Sequence, residues 1–259
     1  PKDTTWINYI RCHDDIGLGF EDQDIYHLGL DAQEHRKFLL NYYCQKLDWS
    51  PAKGLLFMYN PKTGDGRITG SGASLLGLET GIEKNDTDLI ATAIRKIKML
   101  HSIILSYGGI PLIYAGDEIG TLNDYSYQKD SNKKEDNRWV NRPNQDWKVI
   151  ETLDKKETSQ SRIFHTIKNL IFADNNNTIL QQHHNPHFLI FERTSEKQRL
   201  LVICNFDGNV HTIEKYWFDQ INFAINTKTR DLISNKTISL SNNVLEIGGH
   251  ETYWILNTM

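Results

Sequence analysis

The spacing of apolar and polar positions changes character twice along the chain. Trp6-Ile7-Asn8-Tyr9-Ile10-Arg11-Cys12 alternates apolar and polar residues of β-friendly type and predicts a strand. That strand runs straight into the polar trio His13-Asp14-Asp15. From about residue 16 to 87 the pattern is irregular, apart from a helix predicted over 31–47. There Phe38, Leu39, Tyr42, Tyr43 and Leu47 are the apolar positions, with Phe38, Tyr42 and Tyr43 read as core. The stretch from Asn60 to Arg67 is rich in turn formers, and 70–74 is a Gly/Ser/Ala-rich close-packed turn. No strand leads into that turn and no Gly-Lys-Ser/Thr follows it, which argues against a phosphate loop.

The clearest helix is predicted over 88–107. Ile90, Ile94, Ile97 and Ile104, with Leu89, Ala93 and Leu100, make one apolar stripe at helical spacing. Asp86 or Asp88 suits its N-cap, and Gly108-Gly109 suits a left-handed end. Ile110-Pro111-Leu112-Ile113-Tyr114-Ala115-Gly116 then predicts a short strand buried on both faces, as parallel strands are, ending in Asp117 and Glu118. Strand, helix and strand thus recur, with acids after each strand and an insertion of about seventy residues where βα connections usually take 2–6. A polar stretch over 124–143 precedes a helix over 161–175, carrying Ile163, Phe164, Ile167, Leu170 and Ile171 on one face. From about residue 179 the period falls to two. Short strands are predicted over 188–192, 200–205, 210–216, 237–240, 244–247 and 252–256, separated by turns such as Asp207-Gly208-Asn209.

Composition narrows the picture without redirecting it. The 259 residues are 39% hydrophobic and carry a net charge of −4, an ordinary globular balance that argues against a phosphate-neutralising nucleic-acid binder. No run of about 20 apolar residues suits a membrane helix. No charged-then-apolar segment opens the chain, which leaves the compartment unassigned and slightly favours a cytoplasmic one. Cys12, Cys44 and Cys204 are far apart and odd in number, which fits reduced or buried thiols rather than a disulfide framework or a zinc site. No metal-ligand set and no cofactor motif is read from the chain.

Carboxylates delivered at the ends of parallel strands suit glycoside chemistry, which sets two such groups about 5–5.5 Å apart for retention and about 6.5–9.5 Å apart for inversion. An acidic pair taken singly is more often a solvated loop or a helix cap. Longer motifs decide between these. The run from Asn8 through His13-Asp14-Asp15 to Gly17 resembles the seventh-strand motif of the α-amylase family of (β/α)8-barrel enzymes. Gly109 through Asp117-Glu118-Ile119-Gly120 resembles the eighth-strand motif of the same family. The doubled acid after His13, the loop Tyr59-Asn60-Pro61 to Gly64-Asp65-Gly66-Arg67, and Thr121-Leu122-Asn123-Asp124 running on to Asp136-Asn137-Arg138-Trp139 are most similar to its amylosucrase-type members. Gly17-Leu18-Gly19-Phe20 departs from the pattern, which carries a tryptophan after the glycine.

The resemblance implies an α/β plus β fold. Residues 1–177 would be the last two βα units of a (β/α)8 barrel with a helical insertion over about 16–87, and 178–259 a C-terminal antiparallel β-sandwich. It implies that Asp14 steadies the transition state and that His13 binds hydroxyls of the transferred glucosyl unit. Asp15 and Arg67 would shape the acceptor side, and Arg138 would pair with an acid at the pocket floor. Asp117 and Glu118 are read as structural, bonding loop amides. The implied partners are sucrose, glucosyl units and α-glucan acceptors, and the implied activity is retaining glucosyl transfer, with α-glucan hydrolysis as the alternative. The family's nucleophilic aspartate and proton-donating glutamate lie on earlier strands, so this chain alone is expected to be inactive. A different class remains open, a non-catalytic carbohydrate-binding module presenting Tyr216, Trp217 and Trp254.

Overall fold

The computed structural model describes residues 4–170, 177–194, 198–226 and 229–258. In chain order these form β1 (Ile7–Asn8), α1 (Asp22–His27), α2 (Ala32–Tyr43), β2 (Leu55–Phe57), β3 (Arg67–Thr69), α3 (Gly72–Leu75), α4 (Leu78–Lys84) and α5 (Thr87–Ser106). Then come β4 (Ile110–Pro111), α6 (Trp147–Ile150), α7 (Ser159–Leu170), β5 (Asn177–Gln181), β6 (Phe188–Thr194), β7 (Gln198–Asn205) and β8 (His211–Glu214). The chain closes with α8 (Lys215–Gln220), β9 (Arg230–Asp231), β10 (Lys236–Thr237), β11 (Val244–Ile247) and β12 (Thr252–Thr258). Residues 171–175 of the helix expected over 161–175 lie outside the described residues. Among the described residues no helix is long and apolar enough to cross a membrane. The chain divides into two compact units, one of Pro1–Tyr9, Lys98–Leu112 and His165–Met259, the other of Ile10–Ile97 and Ile113–Phe164.

In the first unit β1 and β4 pair in parallel, Ile7 opposite Ile110 and Asn8 opposite Pro111. Gly108 and Gly109 sit at φ 109° and 83°, the left-handed end expected after α5. Gly109 also allows a close approach, because a Cβ there would stand 2.6 Å from the Trp6 carbonyl oxygen. The expected buried strand over 110–116 is corrected on both counts. It spans only Ile110–Pro111, and Ile110 is 57% exposed. Among the described residues its ladder joins β1 alone, without the flanking strands that bury a central parallel strand.

The rest of this unit is antiparallel. A six-stranded sheet has the order β10-β9-β12-β7-β6-β5, and β11 pairs with β8. Both sheets feed one core, in which Ile203 and Ile255 meet Ile213 and Ile247 around Trp217, Phe218 and Phe223. The strand expected over 210–216 stops at Glu214, and Lys215 begins α8. The reason lies in the adjacent pair Trp217 and Phe218, both buried. A strand would send neighbours to opposite faces, whereas a helix turns both toward one core. The strand expected over 237–240 is confined to Lys236–Thr237, and β5 and β9 form where no strand was expected.

In the second unit the insertion is ordered. Asp31 caps α2, accepting from the amides of Gln33 and Glu34 at 3.0 and 2.9 Å. That helix ends at Tyr43 rather than 47, and Gln45 follows in the left-handed region at φ 59°. The turn-rich loop closes an antiparallel hairpin, with Leu55 opposite Thr69 and Phe57 opposite Arg67. Leu40, Cys44, Ile68 and Leu75 form a core beneath it. Burial pushes the thiols of Cys44 and Cys204 up to about 12, and all three cysteines are free, as their spacing implied. The 70–74 turn is close-packed: Ser71 caps α3, and a Cβ on Gly70 would meet Leu75 at 2.9 Å. Glu79, buried on α4, accepts from Ser74 Oγ and Tyr125 OH, and Lys53 lies 3.2 Å away.

For α5, Asp86 does the capping, its Oδ1 accepting from the amides of Asp88 and Leu89 at 3.1 and 2.9 Å. Asp86→Ala is expected to lower stability by about 1 kcal/mol, while Asp86→Ser retains most of it. Urea denaturation followed by circular dichroism checks this, and equal stability of the alanine variant would refute the cap.

Candidate active site

The second unit holds every residue of the His13-Asp14-Asp15 cluster and its partners. Its foundation is Arg11, whose buried guanidinium pairs with buried Asp117 at 2.8 and 2.9 Å and lies 4.6 Å over the Tyr114 ring. Burial pushes the Asp117 carboxyl above its ordinary range, and Arg11 opposes that rise. Around this pair the backbone of the trio is held by side chains. Arg11 donates to the Cys12 carbonyl at 3.2 Å, Arg142 to the His13 carbonyl at 2.7 Å, and Asn141 to the Asp14 carbonyl at 3.2 Å. With their carbonyls occupied in this way, His13 stays exposed and Asp14 keeps 45% of its side chain open.

Arg138 organises the charges. It lies in a 3-10 turn, Asn137–Asn141, whose cap is Asp136, and it donates from Nε and Nη2 to the two oxygens of that carboxylate at 2.9 Å each. Its Nη1 donates to Asp14 Oδ1 at 2.5 Å and lies 3.8 Å from Asp15. The guanidinium carbon stands 4.7 Å over the Phe57 ring. Arg138 therefore holds the carboxyls of Asp14 and Asp136 below the usual range, and the two acids raise Arg138 in return. Asp15 is only 7% exposed, and Arg67 reaches its Oδ2 at 3.0 Å. Arg67 also lines an open cavity of about 500 Å³, together with Gly17, Leu18, Arg36, Met58 and Asp65.

Four residues singled out in the sequence, Asp14, Asp15, Arg67 and Arg138, thus form one network, with His13 exposed beside it on the chain. Glu118 takes the structural place expected of it, accepting from the Gly116 amide at 2.7 Å and from Gln145 at 3.2 Å. Asp117 is structural too, chiefly through Arg11. Sequence reasoning missed Asp136, Arg11, Asn141 and Arg142. The only signal for Asp136 is its place two residues before Arg138, where an aspartate caps a turn and meets the side chain it caps. In the first unit Trp217 and Trp254 are buried core residues, and only Tyr216 of the candidate stacking platform is exposed.

No family model matches the chain. Over 268 aligned residues it is 25% identical to glucosylglycerate phosphorylase of Escherichia coli K12, covering 98% of this chain and 42% of that protein. The chain therefore spans about two fifths of the length of that curated relative. Among solved structures it resembles sucrose 6F-phosphate phosphorylase from Thermoanaerobacter thermosaccharolyticum, with a TM-score of 0.54 and 18% identity over 77% of this chain and 36% of that one. That likeness is one of fold, to part of a (β/α)8-barrel enzyme.

Removing Arg138 takes away the main cause of the low Asp14 pKa, so Arg138→Ala is expected to move the Asp14 titration up toward the ordinary carboxylate range. The sign follows from linkage: a depressed carboxyl stabilises the fold above its unfolded pKa, and that contribution disappears as pH falls through the folded value. Carbon-detected NMR titration of the aspartate side chains reads it. An unmoved Asp14 curve would contradict the assignment, and Arg138→Lys should restore the shift only in part.

Proposed function

From the relationship of this chain to the α-amylase family, glycoside hydrolase family 13, we propose that it supplies one wall of the sugar pocket in a retaining α-glucosyl-transferring enzyme that uses sucrose or an α-glucan as donor. The observation that carries this is Asp14, an ionised carboxylate gripped through one oxygen by Arg138 and still open to solvent. Cleavage of a glycosidic bond passes through an oxocarbenium-like transition state, with positive charge growing at the anomeric carbon. A carboxylate kept ionised beside that carbon gains more from the transition state than from the neutral sugar, which is what accelerates a reaction.

In this reading Asp14 Oδ2 faces the sugar while Oδ1 stays with Arg138. His13, exposed next to it, offers an imidazole to the hydroxyls of the glucosyl unit. Arg138, joined to Asp14 and Asp136, forms the pocket floor, and Asp15 with Arg67 shapes the acceptor side next to the 500 Å³ cavity. Asp15 is a poor nucleophile, being nearly buried and paired with Arg67. The nucleophile and the acid therefore come from elsewhere in the enzyme, and the chain alone turns over no sugar. A second reading, phosphate as acceptor, is favoured by Arg36 and Arg67 lining one cavity and by the names of both relatives, which are phosphorylases.

The test is fructose and glucose release from sucrose by the enzyme that contains this chain, with and without inorganic phosphate. Asp14→Asn should lower kcat by about 10²–10³ without loss of folding. Phosphate-dependent formation of glucose 1-phosphate selects the second reading. Near-normal turnover by Asp14→Asn removes Asp14 from the chemistry, and turnover by the isolated chain overturns the placing of the nucleophile elsewhere.

A further inference from the structure

The unit carrying the C-terminal strands contains a cluster that the sugar chemistry does not use. His187 precedes β6, Asp207 lies on the turn between β7 and β8, and His211 opens β8. Their potential ligand atoms all lie within 4.8 Å of one another. His211 Nε2 is 2.7 Å and His187 Nε2 is 3.9 Å from the same oxygen, Asp207 Oδ2. The two imidazoles are stacked, with centroids 4.8 Å apart and planes 17° from parallel.

We propose that His187, Asp207 and His211 form a binding site for a divalent transition-metal ion, of which zinc is the type, with water in the remaining position. A bond from His211 to Asp207 alone would be an ordinary ion pair on a turn. It does not account for a second imidazole nitrogen standing 3.9 Å from the same oxygen. One dication satisfies all three groups. Metal–nitrogen and metal–oxygen bonds near 2.0–2.2 Å put tetrahedral ligand atoms about 3.3 Å apart. The separations of 2.7 and 3.9 Å lie on either side of that value and all the ligand atoms lie within 4.8 Å of one another, so small side-chain shifts with a rotation of the stacked rings would bring the three groups to one ion. Two imidazoles with one carboxylate favour zinc, copper or nickel over calcium or magnesium, which take oxygen ligands.

The backbone around the three groups is already fixed. Buried Asn205 donates from Nδ2 to the carbonyls of Asn209 and Gly248 at 2.8 and 3.0 Å and accepts from the Asp207 amide at 3.0 Å. The Phe206 amide donates to the His187 carbonyl, and the His250 amide to the Asp207 carbonyl, at 2.9 Å each. Asn209 Nδ2 donates to the Asp207 carboxylate at 3.2 Å, the kind of outer contact that orients a metal ligand. His187 is 49% exposed, which gives an ion an entry path. The nearby group His183, His184 and Glu214 is the weaker candidate. His183 Nδ1 accepts from the Asn185 amide, so the neutral ring carries its proton on Nε2.

Titrating the chelator-treated full chain with zinc in a calorimeter, and with cobalt(II) in a spectrophotometer, tests the site. We expect one equivalent bound with a micromolar Kd, visible cobalt bands of four-coordinate type, and no displacement by excess magnesium. His187→Ala and His211→Ala should each weaken zinc at least about tenfold, while His184→Ala leaves it unchanged. His211→Gln, closer in size, repeats the test should the alanine variant unfold. No saturable binding, or binding equal in wild type and the His187→Ala/His211→Ala double variant, would overturn the site, as would a loss caused by His184→Ala.

Discussion

The candidate site depends on one buried ion pair, Arg11 with Asp117. Neither charge is cheap to hide. Several kcal/mol of hydration are lost per ion, and the pair survives only where geometry and further hydrogen bonds repay the loss. Here the guanidinium also reaches the carbonyls of Cys12 and Asn141 and lies over Tyr114, so most of its donors are used. The consequence is positional. The pair joins the segment that carries His13-Asp14-Asp15 to the segment that ends the Ile110–Gly116 run, and Asn141 brings in the 3-10 turn that carries Arg138. A point charge in place of Arg11 could neutralise Asp117 but could not address two carbonyls and a ring at the same time.

From that anchor outward, exposure rises and the role of charge changes. Asp117 is deep and structural, Asp15 is nearly buried and held by Arg67, and Asp14 is gripped yet open. The same residue type thus does three jobs, separated by how much water each carboxyl keeps and which cation faces it. Arg138 suits the junction because its planar fork binds Asp136 through two parallel bonds and still presents Nη1 to Asp14. Phe57 beneath the guanidinium limits its tilt, and Phe57 sits in the hairpin that also delivers Arg67. The insertion therefore contributes to the site through both its backbone register and its side chains.

Much of this was legible in the residues, and the gaps have physical causes. Helix α5 was readable because periodicity, an acidic cap and a pair of glycines agree over twenty residues. The cluster was readable because its acids and arginines stand in long, ordered motifs. Burial of the strand after Gly109 was misjudged because an apolar run reports what a strand can pack against, and β4 joins only β1. Helix α8 was missed because Tyr216, Trp217 and Phe218 favour strands by type, and only their joint burial selects the helix. Arg11 escaped notice because its pairing with Asp117, across more than a hundred residues, leaves no local pattern, and Asp136 because an acid two residues before an arginine in a charge-rich run has the look of a solvated surface.

One device recurs in both units and links backbone order to exposed chemistry. In the second unit Arg11, Arg142 and Asn141 take up three successive carbonyls, so a non-repetitive stretch is fixed without a ladder and its side chains remain available. In the first unit Asn205 ties the turn after β7 to the end of β11, binding the carbonyls of Asn209, Ile247 and Gly248 and the Asp207 amide from a fully buried position. Buried polar groups must be satisfied, and satisfying them with neighbouring backbone removes conformational freedom where loops would otherwise keep it. The charged side chains beside such anchors, Asp14 in one unit and Asp207 in the other, need little further ordering when they meet a ligand. That preorganisation, rather than the acidity of any single group, is what makes both places suited to binding.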